Sequence, residues 1–185
     1  MLPAGLFALV LSSLLAIVTY AYPQGSAICT ADGPTIASAR AMGPEVTLPT
    51  FKVFAAGNVS TYTTGGPSLT LTLNGDVGGT FKGLLLYAAS TLDAQAHVGT
   101  WSGFDEAAYQ TLDSANNAPV ANCAAYGAGS TLSHRAADTK QFPANFTWTP
   151  PATVSGNTFK FFAAVVISAE NGFQIVQSDA TFTPA

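Results

Sequence analysis

An all-β domain, folded as an antiparallel β-sandwich, is what this 185-residue sequence predicts, from three observations. Leu69, Leu71 and Leu73 alternate with Thr70 and Thr72, the period-two pattern of a half-buried strand. Short apolar and aromatic runs recur along the chain, separated by turn residues drawn from 17 Gly, 11 Pro and many Ser and Thr. No apolar stripe with a 3.6-residue period persists in any segment. Together these predict a sandwich of the immunoglobulin-like kind with an extended N-terminal arm. A closed barrel is the alternative.

Residues 1–21 are expected to be a secretory signal peptide. Leu6 to Val18 is almost unbroken apolar, about the length of a signal core and too short to span a bilayer comfortably. Thr19-Tyr20-Ala21 supplies a cleavage context, so the mature chain is expected to start at Tyr22. The leader carries no Lys or Arg, which departs from the usual pattern and leaves a membrane anchor as the alternative. The next longest apolar run, Phe159 to Ser168, contains Lys160 and is β-branched and aromatic, so it is expected to be a strand. The chain closes on Thr183-Pro184-Ala185 with no apolar tail, so no glycolipid anchor is expected.

Residues 22–46, rich in Gly, Pro and small side chains, are expected to lie as an arm over a single domain spanning 22–185. Ser68 to Asn74 is the first clear strand, closed by the turn pair Asn74-Gly75. Thr80 to Ala89 follows, with Gly83 marking a bulge or a close approach. Further strands are expected at His97–Ser102, Leu132–Arg135, Asn145–Thr149, Thr158–Ser168 and Phe173–Phe182. Phe104 to Leu112 could make one helical turn.

Charge narrows the partners. Six Lys and Arg stand against ten Asp and Glu, for a net charge of −4, and charged residues make up only 9% of the chain. Hydrophobic residues make up 48%, which excludes intrinsic disorder. So few cations argue against nucleic acid and sulfated polyanions as partners. After signal cleavage no membrane association is expected.

Cys29 and Cys123 are the only cysteines, and in an oxidising compartment such a pair is expected to form a disulfide. Free buried thiols are the alternative, and zinc lacks its ligand spacing. Asn58-Val59-Ser60 and Asn145-Phe146-Thr147 fit the N-glycosylation pattern, Asn145 being the weaker because a strand is expected there.

The chemistry-bearing residues assemble into no convincing catalytic set. A copper site of the histidine-brace kind needs a histidine as first mature residue, and Tyr22 stands there. His97 and His134 could pair on a metal only with a third ligand such as Asp93 or Asp138. Ser130 lies one place late for a nucleophile elbow, and Asp105-Glu106 is an adjacent pair of the kind usually solvated. Gly127 and Gly129 lack the lysine and helix of a phosphate loop. Phe51, Phe81, Trp148, Phe159, Phe161 and Phe173 fall at core positions. Trp101, Tyr109 and Tyr126 lie in or near expected loops; with His134 they form a candidate binding surface, although packing is favoured for each aromatic.

The order of several segments resembles the Reeler domain, the module named for the N-terminal region of reelin. Tyr22-Pro23-Gln24-Gly25 and Cys29 are similar to the family's opening, and Phe81-Lys82-Gly83-Leu84-Leu85-Leu86 to its F-x-G-F-L-L strand. Val98-Gly99-Thr100-Trp101, Cys123, Ser133-His134, Lys140, Phe146 to Thr149 with Pro151, Phe161 to Ser168 and Phe173 to Ser178 follow in the family's order. Two features depart from it. Ala88-Ala89-Ser90 stand where the family often has an arginine, and further cysteines are absent, so no ligand site using that arginine is carried over. The resemblance implies a secreted, extracellular recognition module of adhesion or innate-defence type, without catalytic, cofactor or metal residues and with an unidentified ligand. The alternatives are a metal- or electron-transfer-associated protein related to the heads of ferric-chelate reductases, and a structural matrix or wall component.

Overall fold

The structure, a computed structural model, describes residues 24–38, 42–48, 51–55, 59–76, 78–113, 120–153 and 158–185. The signal segment, Tyr22 and Asn58 lie outside them. Two antiparallel sheets form the sandwich. The four-stranded sheet has β1 (Lys52–Ala55), β3 (Leu69–Asn74), β10 (Ala144–Thr149) and β6 (Thr100–Ser102) side by side. The five-stranded sheet runs β12 (Gly172–Gln177), β11 (Lys160–Ser168), β5 (Gly83–Ala89), β8 (Thr131–His134) and β7 (Tyr109–Thr111). Two small pairs close the ends: β13 (Thr183–Pro184) parallel to β2 (Thr61–Tyr62), and β4 (Thr80–Phe81) antiparallel to β9 (Lys140–Gln141).

The difference between two sequence patterns explains the layering. On β3 only the leucines turn inward, and on β10 Phe146 and Trp148 do the same, so the outer face of these two strands is Thr and Asn. Leu71 pairs with Phe146 and Leu69 with Trp148 in register. Every residue of β5, GLLLYAA, is buried. Its Leu84, Leu86 and Ala88 enter the core between the sheets with Phe161, Ala163 and Val165 of β11. Its Leu85, Tyr87 and Ala89 face outward with Phe162, Ala164 and Phe173, under the N-terminal arm. A strand covered on both sides has no reason to alternate.

The arm contains an element that the sequence does not announce, helix α1 (Gly33–Ser38), whose Ile36 packs onto the outer face of the five-stranded sheet. Phe104–Leu112 is corrected in part. The Asp105 carbonyl accepts the amides of Ala108 and Tyr109, a single turn, and the chain then enters β7. The strand expected at 173–182 stops early, at Gln177: Ser178 accepts the Phe161 amide and donates to the Ala180 carbonyl, turning the chain, and Phe182 then bridges to Phe159 before β13. Thr80–Ala89 likewise divides at Lys82. Gly83 is a close approach, since a Cβ there would sit 3.0 Å from Val166 Cβ.

Candidate functional site: a cleft beneath the N-terminal arm

Both ends of the arm are fastened. At the first end Cys29 and Cys123 are joined by a disulfide, with Cα atoms 5.5 Å apart. Nearby, the Ser26 amide donates to Ser133 Oγ (2.9 Å), which in turn donates to the Leu84 carbonyl (2.8 Å). The Ala31 amide donates to the Tyr87 hydroxyl (2.9 Å), and that hydroxyl to the Leu92 carbonyl. Desolvation pushes the Tyr87 phenol up to about 12, with the Ala31 amide opposing and Asp93 adding. At the far end the Phe173 amide donates to the Pro44 carbonyl and the Val46 amide to the Phe173 carbonyl. Gln174 clips the next turn, accepting the Leu48 amide at 2.8 Å and donating to its carbonyl at 3.1 Å. Gly172 is required here: its φ is +82° and a Cβ would meet the Pro44 oxygen at 2.0 Å.

Between these fastenings the arm stands off the sheet and leaves a cleft of about 270 Å³. Its roof includes Ile28, Ile36 and Met42, and its floor includes Leu85, Ala164 and Val166. Ser26, Thr35 and Ser38 add hydroxyls, and His134 closes one wall. Leu85 and Ala164 are register partners on neighbouring strands, so they face the arm together. Ala164 extends only a methyl group, which is one reason that space remains there.

The residues singled out from the sequence go to different places. Trp101 lies on β6 at 5% exposure, its indole donating to the Ser130 carbonyl and its ring set edge-on to Phe146 and Phe161. Tyr109 lies on β7, perpendicular to Phe146 at 5.1 Å, and burial raises its phenol pKa. Tyr126 ends a short 3-10 turn, Ala124–Tyr126, half-buried against His97. His134 is buried at the end of β8, where its Nδ1 accepts the Leu84 amide at 3.1 Å and so continues the ladder beyond the Leu85–Ser133 pair. Of the four residues of the candidate surface, Trp101, Tyr109 and His134 are thus enclosed, and His134 lines the cleft. His97 and His134 lie at opposite ends of β8, His97 reaching Thr131 Oγ1 at 2.7 Å. Among the described residues no three His, Cys, Asp or Glu side chains gather into a metal-binding group. Asn145 is exposed on β10, an interior strand, where its Oδ1 accepts the Thr72 hydroxyl.

Lys140 is only 6% exposed. Its ammonium donates to the carbonyls of Lys82 (3.0 Å), Ala136 (2.6 Å) and Asp138 (2.9 Å), using all three protons. Burial lowers its pKa, opposed by the Asp138 carboxylate. Lys140→Met keeps the stem and strands three carbonyls, so we expect a loss of about 2 kcal/mol, read as a lower urea midpoint. An unchanged midpoint would show that water replaces the ammonium without penalty.

The sequence model of the Reeler domain family matches residues 29–183. The crystal structure of the human F-spondin reeler domain is similar, with a TM-score of 0.55 at 19% identity over 79% of this chain and 95% of that one. The crystal structure of the Reelin-N domain of F-spondin gives 0.53 at 19% identity, over 78% and 94%. At such identity the likeness is one of fold. No curated protein matches the chain in sequence.

Proposed function

Because the chain belongs to the Reeler domain family, we propose that it is a secreted, non-catalytic recognition module working outside the cell, in adhesion or innate defence. The observation that carries this reading is the cleft: a recess whose roof is tied to its floor at both ends is pre-formed for binding and needs little ordering. Residues 1–21 act as the leader, and Asn58 and Asn145 as glycan acceptors. The test is capture on the immobilised mature chain from the extracellular material of its own source, with a glycan array beside it. Saturable binding of a component, released unaltered, is expected. Chemical turnover of what binds, or no saturable partner from either source, overturns the reading.

Charge gives a further expectation. Arg135 and Lys140 are the one close pair of cations in the sequence, yet Lys140 is turned inward and Arg135 is engaged with the Glu106 carbonyl at 3.0 Å. What remains is scattered, and isolated cations are largely screened at physiological salt, where the Debye length is about 8 Å. The protein is expected to pass through heparin resin unretained at about 0.15 M salt. Elution only well above that would place a polyanion among its partners.

A further inference from the structure

Resting on the reading of the cleft as a recognition site, we propose that it holds the aliphatic chain of an uncharged amphiphile whose head group carries hydroxyls. The side chains described within it are Ile, Leu, Val, Met and Ala, with hydroxyls and one imidazole, and no Phe, Tyr or Trp is among its described lining residues. A sugar or aromatic ring would ask for a flat aromatic partner, whereas an aliphatic chain packs on branched aliphatic walls. At about 270 Å³ the cleft is far larger than the space one water needs, so it has room for a run of chain atoms. That suits a single medium-length chain, with the head left at the mouth.

The head group follows from hydrogen-bond inventory. Each of the three hydroxyls already donates its proton: Ser26 Oγ to the Ile28 carbonyl, Thr35 Oγ1 to the Asp32 carboxylate, and Ser38 Oγ to the Thr35 carbonyl. A hydroxyl that has donated has only lone pairs left to offer. Toward these three hydroxyls the ligand must therefore supply the donor, as an alcohol does and an ionised carboxylate does not. Lys and Arg are absent from the described lining residues, so none of those residues offsets an anionic head. The same chemistry is found in a free fatty alcohol and in a monoacylglycerol, and both are included in the test.

The mature, oxidised chain is titrated with the neutral fluorescent probe N-phenylnaphthylamine, and bound probe is then displaced. Saturable binding is expected, with decanol and monodecanoylglycerol displacing the probe and decanoate at neutral pH about tenfold weaker. Displacement by only one of the two hydroxyl ligands identifies the source and supports the proposal. Ala164→Phe fills the floor and Met42→Trp fills the roof. Each is expected to weaken probe binding by about tenfold or more while thermal unfolding stays that of the parent. Two variants are used because a buried Ala164→Phe can fail to fold, in which case Met42→Trp alone decides. Decanoate equal to decanol overturns the head-group assignment, and undiminished probe binding in a folded variant overturns the location. No saturable probe binding overturns the ligand class, while recognition stands or falls by the capture experiment.

Discussion

Replacing both Cys29 and Cys123 by alanine is expected to lower unfolding free energy by about 4.7 kcal/mol, the value chain entropy assigns to a loop of this size. The bridge closes 94 residues of sequence separation, so the unfolded chain it restrains has much freedom to regain. Against a typical total of about 5–15 kcal/mol, that is a large share. The loss will not be even. From Gln24 to Ser38 the arm has one six-residue helix and few buried side chains of its own, among them Ala31 and Ile36. Without the bridge its first end keeps the Ser26–Ser133 and Ala31–Tyr87 hydrogen bonds, while the Pro44–Phe173 and Gln174 fastenings hold the other. Hydrogen exchange should therefore rise first at residues 24–38, before the sandwich strands, and probe affinity in the cleft should fall with it. Equal urea midpoints for the parent and the double variant would show that the unfolded chain is not restrained by the bridge. Faster exchange spread evenly over both sheets would show that the arm is no separate unit.

How much of this was legible in advance depends on how many faces of each element are covered. Strand β3 could be read residue by residue because one face is wet and its threonines report it. The run through β5 identified a strand but not its two coverings, since Leu85 and Leu86 look alike in sequence and point to opposite layers. The cleft lies on the side that Leu85 faces, so its floor could not be assigned. Its roof was hidden for a different reason: Gly33–Ser38 is shorter than the window in which a helical period can be seen. Tyr109 reads as loop in the sequence because β7 is three residues long, too short to show alternation. The burial of Lys140 is not legible, because nothing in a sequence signals that three carbonyls converge on one ammonium. The disulfide, by contrast, needed only two cysteines and a compartment.

Acid is expected to destabilise this protein through His97. The imidazole is 8% exposed, stacked on Tyr87 with ring centroids 4.2 Å apart and flanked by Tyr126 at 5.0 Å. Its Nδ1 pairs with Thr131 Oγ1, while Nε2, among the described residues, has no hydrogen-bond partner. A neutral ring can leave a bare acceptor there. A protonated ring would bury a second N–H together with a charge, and both are costly. Desolvation accordingly lowers the pKa from 6.5 to about 4, with the Ala94 backbone opposing in part. Because the unfolded chain binds this proton first, the stability attached to the neutral ring is complete above the unfolded pKa of 6.5. It is lost progressively as pH falls toward about 4, and nothing more is lost below that. A shift of this size corresponds to roughly 3 kcal/mol. His97→Gln can still bond Thr131 but takes up no proton, so it isolates this contribution from that of the carboxylates. Urea unfolding at neutral pH and near pH 4 should show the parent losing roughly 3 kcal/mol more than the variant over that interval. Equal losses in the two proteins would mean that His97 is protonated in the fold as readily as in the unfolded chain, and that the stacked, enclosed ring imposes no penalty on its charge.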